Sequence, residues 1–238
     1  MAYYKSGTNW AGRDAAVIAA INTAVAECAR WGFWSCFDRI HNQGHRWNHK
    51  LNLPPRAKRR VSQRTRQPLW VVPEMNVVWA LDFMRHTLCG GRVFRTLNVI
   101  DEANRGCLGI DIATSIPAVR VTAFVAQLID LHGWPRAIRC DICPEVTSET
   151  FITWCRGQDI ELRFIQPGKP DQNACIERFN RTCREEVLSA YLFDSLDQVR
   201  DIIAEWLEQY NEIRPHDALG TLPPARYRER LVAAEIPV

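Results

Sequence analysis

Residues 76–84, NVVWALDFM, decide the fold. A short run this rich in Val, Trp and Phe reads as a β-strand, and apolar strands of this kind are normally buried on both faces. Asp82 sits inside the run, where a carboxylate is costly unless it lies at an edge, is paired or holds a metal. On its neighbours alone, an Asp that caps a turn or pairs with Arg explains the residue equally well. Moving outward, RTLNVIDE (95–102) and CLGIDIATS (107–115) are two more strand candidates separated by polar, turn-like segments. PAVRVTAFVAQLIDLH (117–132) then reads as an amphipathic helix with Pro117 in its first turn and Gly133 just past its end. AIRCD (137–141) is a short buried strand, followed by a helix near 147–158, a strand in ELRFIQP (161–167), and helices near 172–188 and 195–211. The order βββαβα, another strand and more helices predicts an α/β fold with a mixed sheet.

Two further carboxylates stand out. Asp141 ends the strand AIRC and opens a turn toward Pro144, which places it at the carboxyl end of a strand, a usual location for chemistry in α/β sheets. Glu177 lies in NACIERFNRTCREEV (173–187), where Ile176, Phe179, Cys183 and Val187 form a core-facing stripe. Asn173, Glu177, Asn180, Arg181 and Arg184 fall along the neighbouring face. Singly, an Asp in a turn is ordinary, and a Glu among arginines is usually a weak surface ion pair. As a set they meet the need of a two-metal phosphoryl-transfer site, in which hard Mg²⁺ or Mn²⁺ takes several oxygens brought from separate elements.

The remainder of the chain narrows the class. With 238 residues, 47% hydrophobic and 24% charged, it can bury a substantial core. No apolar run is long enough for a membrane span and the N-terminal stretch lacks a secretory apolar segment, so a cytosolic protein is expected. Nine scattered cysteines, odd in number, read as reduced thiols rather than a disulfide scaffold. Residues 1–75 carry 12 Lys/Arg against 4 Asp/Glu, net +8, whereas residues 76–238 carry 18 against 23, net −5. A polyanion would therefore dock on the N-terminal third. Residues 14–36 show helical apolar spacing (Val17, Ile21, Ala24, Cys28) and predict a small helical module. PPRAKRRVSQRTR (54–66), with Lys58, Arg59 and Arg60 at its centre, has the composition of an extended basic linker suited to a phosphate backbone. The divisions expected are a helical module at 1–53, the linker at 54–72 and a catalytic core at 73–238.

WALDF (79–83), FRTLNVID (94–101), the D-x-x-P-E segment at 141–145, FIQPGKPDQNACIERFN (164–180), YNEIRPH (210–216) and PPARY (223–227) occur in this order, with 35 residues between Asp141 and Glu177. Over about residues 70–230 the chain thus resembles the DDE-class integrase-core transposases encoded by the second reading frame of bacterial insertion sequences, relatives of retroviral integrases. The resemblance implies an RNase H-like fold, a mixed sheet flanked by helices. It also implies two Mg²⁺ or Mn²⁺ ions held by Asp82, Asp141 and Glu177, with Lys169, Asn173, Arg178 and Arg181 along the DNA backbone. The implied chemistry is metal-dependent cleavage at element ends and strand transfer onto target DNA in the bacterial cytoplasm. It would be performed by a homo-oligomer on DNA, with an upstream-frame helix-turn-helix protein as partner or fusion. RWGFWSCFDRIHNQGHRWNHK (30–50) resembles the family's helix-turn-helix-like segment in truncated form. Ile142 and Cys143 stand where relatives carry Asn and Gly, and loss of that Gly is expected to strain the turn after Asp141 and impair activity. A catalytically impaired DNA-binding remnant and a nuclease of the same fold are the alternatives.

Other motifs weigh less. Cys140 and Cys143 form a C-x-x-C without a second pair, so inert thiols are favoured over zinc or redox chemistry. His41, His45 and His49, with Cys28 and Cys36, have zinc-like spacing, but Gly44 and Asn48 weaken the helix it requires. His216 is expected to cap a helix rather than touch DNA, and Trp79, Phe83, Phe94, Trp154, Phe164 and Phe179 are expected in the core.

Overall fold

The alternation of side chains along the central strands sorts the apolar residues into two cores, one on each face of a sheet. The computed structural model describes residues 10–27, 31, 33–45, 74–166 and 173–235, and contacts divide the chain into two compact units, 1–64 and 65–238. In the second unit β1 (Val78–Thr87), β2 (Val93–Asp101) and β3 (Cys107–Ala113) form an antiparallel meander, and β4 (Ala137–Cys140) and β5 (Glu161–Phe164) extend it in parallel beyond β1. The strand order is β3-β2-β1-β4-β5, the mixed, helix-flanked RNase H-like sheet expected from the sequence.

On one face Trp79, Leu81, Leu97, Val99, Ile138 and Cys140 pack against α3 (Ala118–His132) and α4 (Glu149–Gly157). On the other, Ala80, Met84, Phe94 and Ile100 pack against α5 (Ala174–Cys183) and α6 (Leu196–Glu212). Odd positions of β1 therefore face α3 and α4, while even positions, Asp82 among them, face α5. Helix ends follow their local sequence: Ser148 and Ser195 cap α4 and α6 by accepting from Phe151 N–H and Gln198 N–H, and α3 stops at Gly133, whose φ of 95° suits glycine.

The helix expected near 172–188 comes in two parts, α5 and a π-helical turn over Arg184–Leu188. The turn keeps Val187 and Leu188 in the core. The YNEIRPH segment is structural. Asn211 on α6 accepts from Cys107 N–H and donates to Cys107 C=O, both at 2.9 Å, and Arg214 pairs with the half-buried Glu186 at 2.6 Å. His216 does not cap by its side chain; its ring lies edge-on to Tyr210 at 4.9 Å. α7 (Pro224–Glu235) follows α6. Of the aromatic set, Trp79, Phe94 and Phe179 are wholly buried. Phe164 is exposed, because β5 is the edge strand.

The first unit contains α1 (Trp10–Glu27) and α2 (Phe33–Asn42), two helices where the spacing over 14–36 suggested one module. Ala24, Cys36 and Ile40 form its small core. Because α2 ends at Asn42, His45 lies beyond the helix and is exposed, so His41 and His45 share no helix face. Cys28, His49 and the basic linker lie outside the described residues.

Candidate active site

Leu81 and Cys140 are register partners on neighbouring parallel strands, so Asp82, within β1, and Asp141, the first residue past β4, stand side by side. Neighbouring strands lie about 4.7–4.9 Å apart. Since Leu81 faces α3 and α4, the pleat turns the Asp82 carboxylate toward α5. There Glu177 is exposed in the first turn of the helix, on the face adjoining the buried stripe of Ile176, Phe179 and Cys183. An open cleft of about 340 Å³ is lined by Asp82, Phe83, Met84, Glu177, Asn180, Arg181 and Arg184.

Asp82 is half-buried and held at both oxygens. Its Oδ1 accepts from Phe83 N–H at 2.7 Å and its Oδ2 from Asn180 Nδ2 at 2.6 Å. Its pKa is nevertheless pushed up to about 6, first by burial and further by the charges of Asp141 and Glu177, against the relief of those hydrogen bonds. A surplus of negative charge on hard oxygen donors is what a divalent cation offsets, so this donor set fits Mg²⁺ or Mn²⁺. Among the described residues no group of three or more His, Cys, Asp or Glu is drawn together as a finished metal site; Asp82 and Glu177 line the cleft, while Asp141 lies outside its lining but near enough for its charge to act on Asp82.

The segment after Asp141 is anchored from the opposite face. Arg95 on β2 lies over the Phe83 ring, 4.5 Å from its centroid, and pairs with Glu145. Thr147 donates its N–H and hydroxyl to Cys143 C=O at 3.0 and 2.9 Å. Neither Ile142 nor Cys143 has a positive φ. The strain expected from replacing a glycine at position 143 is therefore absent from the backbone. Cys140 is buried and its thiol is pushed up to about 12, chiefly by burial, while burial also raises that of Cys143. Both thiols are therefore poor nucleophiles.

The remaining sequence candidates divide. Arg178 and Arg181 are exposed on α5, with Arg181 on the cleft wall. Asn173 is 1% exposed and both polar atoms of its side chain lack partners, so it does not present its amide to solvent as the arginines do. Lys58, Arg59, Arg60 and Lys169 lie outside the described residues. Sequence reasoning passed over Asn98 and Arg95. The only signal for Asn98 was a lone amide in the apolar run LNVI, and none marked Arg95, whose partners are remote in sequence.

Residues 72–170 and 158–224 each match the integrase core domain. The insertion element IS407 31.7 kDa protein of Burkholderia multivorans is 33% identical over 211 residues, 84% of this chain and 76% of that protein. The chain belongs to the integrase-core transposase family of bacterial insertion elements. The insertion element IS476 39.2 kDa protein of Xanthomonas euvesicatoria is 39% identical over 178 residues, 75% of this chain and 51% of that protein, so the chain spans about half the length of that relative. Two solved structures share the integrase fold. The catalytic core domain of BIV integrase matches with a TM-score of 0.53 at 18% identity, covering 68% of this chain and 99% of that one. The simian T-cell lymphotropic virus intasome, in complex with PP2A regulatory subunit B56 gamma, matches with a TM-score of 0.56 at 15% identity, covering 92% and 74%. Among the described residues no helix is long and apolar enough to cross a membrane.

Proposed function

We propose that this integrase-core protein cuts DNA at the ends of an insertion element and joins the freed ends to target DNA, using two divalent metal ions held by Asp82, Asp141 and Glu177. The observation that supports the reading is the placement of Asp82 and Glu177 on one cleft walled by Arg181 and Arg184, with Asp141, just past the parallel neighbour of β1, near enough for its charge to raise the pKa of Asp82. When bound, the metal ions would lower the pKa of the attacking water or 3′-hydroxyl and offset charge on the leaving oxygen. The protein's own part is to hold the carboxylates in place and to set a cationic wall beside them. Arg178, Arg181 and Arg184 are spaced so that their guanidinium groups would grip phosphates and fix the register of the strand, contacts that position rather than specify. Lys58, Arg59, Arg60 and Lys169 would extend that grip, and residues 1–53 with the linker 54–72 would form the arm that binds element ends ahead of the catalytic core at 73–238. Joining two ends implies at least a dimer on DNA, with an upstream-frame helix-turn-helix protein as a further partner, acting in the bacterial cytoplasm.

The test is cleavage and joining of an end-containing DNA in Mg²⁺ or Mn²⁺ by the chain and by its Asp82→Asn, Asp141→Asn and Glu177→Gln variants. Metal-dependent joining that all three substitutions abolish is the expected result. Cleavage without joining would make the protein a nuclease, and binding without cleavage a DNA-binding remnant.

A further inference from the structure

Asn98 is a wholly buried amide in the middle of β2 and the direct cross-strand partner of Asp82. Opposite residues of an antiparallel pair project from the same face of the sheet, here toward α5. Asn180 on α5 links the two, donating Nδ2 to Asp82 Oδ2 and accepting at Oδ1 from Asn98 Nδ2, both at 2.6 Å. An ionised carboxylate can only accept, so Asn180 must turn its NH₂ group toward Asp82. A primary amide has nearly the same shape when flipped, and the hydrogen bonds at its two ends together select the orientation and hold the plane of the amide. Asn98 supplies the second of those bonds. It does so while its own Oδ1 is buried without a partner, an arrangement unfavourable to stability. An aliphatic side chain would suit this face of β2, beside Phe94 and Ile100, better on packing grounds alone.

We infer that Asn98 is a positioning residue for the metal site: its donated hydrogen bond locks the Asn180 amide, and the locked amide aims the Asp82 carboxylate. The inference rests on the proposed metal role of Asp82. Outer partners that orient a ligand are typically worth roughly ten- to hundredfold in metal affinity.

The experiment is Mn²⁺ binding to the metal-free full chain, read by calorimetry and by loss of the free-ion paramagnetic resonance signal, alongside thermal melting. The parent is compared with Asp82→Asn, Asn98→Leu, Asn98→Val, Asn180→Ala and the double variant Asn98→Leu/Asn180→Ala. Asp82→Asn should abolish binding. Asn98→Leu and Asn98→Val should each weaken it roughly ten- to hundredfold with no loss of melting temperature, a combination that damage to the fold does not give. The valine variant answers the question if the leucine variant does not fold. In the Asn180→Ala background Asn98→Leu should add almost nothing, because the two residues act through one chain of bonds. Parent-like binding by both Asn98 variants, or effects that simply multiply in the double variant, would overturn the positioning role while leaving the metal reading intact. A parent whose Mn²⁺ affinity is indifferent to Asp82→Asn would sink the metal reading, and the positioning role with it.

Discussion

Asp82 and Asn98 stand directly opposite one another on β1 and β2, yet the carboxylate is satisfied from above, by Asn180 on α5. Both its oxygens are engaged, and its pKa is still raised from the ordinary 3.8 to about 6 by burial and by its two acidic neighbours. The unfolded chain gives up this proton near pH 4, whereas the folded chain keeps it until about pH 6. The stability contributed by the protonated carboxyl is thus fully present below about pH 4 and is lost as pH rises through about 6. Metal-free Asp82→Asn should melt with the parent at about pH 4 and above it beyond about pH 6, the gap opening in between. Added Mn²⁺ should raise the parent alone. Melting curves across this range decide it, and a gap independent of pH would mean that ionisation of Asp82 carries no folding cost.

Asn211 is a second amide whose worth can be measured. It replaces a strand partner for Cys107 at the start of β3, satisfying both the N–H and the C=O of that residue. Asn211→Ala leaves two backbone groups without their partner. A loss of about 1–3 kcal/mol is expected for each buried group left unsatisfied, read as a lower urea midpoint at unchanged slope. An unchanged midpoint would show that water replaces the amide at no cost.

Burial pushes His216 down to about 3, and the positive charge of Arg214 adds to the effect. For a basic group depressed in the folded state, the stability of the neutral ring is complete above its ordinary 6.5 and is lost as pH falls from there toward about 3. Carboxylates also titrate over this span, so the informative quantity is the difference from His216→Phe, which keeps a ring against Tyr210. That variant should lose less stability than the parent on going from about pH 7 to about pH 4. Equal losses would mean that the imidazole opens to water before it must take up a proton.

The strands were legible, and the carboxylates stood out as candidates, because each is written in a local pattern. NVVWALDFM contrasts an Asp with apolar neighbours, and the stripe Ile176, Phe179, Cys183 announces which side of α5 Glu177 must avoid. What was not legible is what only the pairing of strands supplies. The link from Asn98 through Asn180 to Asp82 depends on β1–β2 register and on α5 lying over that face, and Arg95 meets Glu145 across 50 residues of sequence. The basic run at 54–66 could be read for charge but lies outside the described residues. Asn173 shows the converse: helical spacing puts it on the same face as Glu177, while its position at the start of α5 buries it.

The departure at positions 142 and 143 can be judged by substitution. Ile142 is 63% exposed and touches no described core, so Ile142→Asn should change stability by less than about 0.5 kcal/mol. Cys143 has no positive φ and its carbonyl is already held by Thr147. Cys143→Gly therefore relieves nothing and adds freedom to the unfolded chain, for a loss of about 0.4–1 kcal/mol. With no strain to release, the double variant should cut and join end-containing DNA at a rate within a few-fold of the parent. Denaturation and single-turnover cleavage on the same preparations separate the two effects. A double variant that is more stable than the parent, or active where the parent is silent, would locate a defect in this turn that the backbone geometry does not reveal. Parity in cleavage would instead mean that Arg95 and Glu145, by fixing the segment from the far face of the sheet, are enough to aim Asp141 without the glycine.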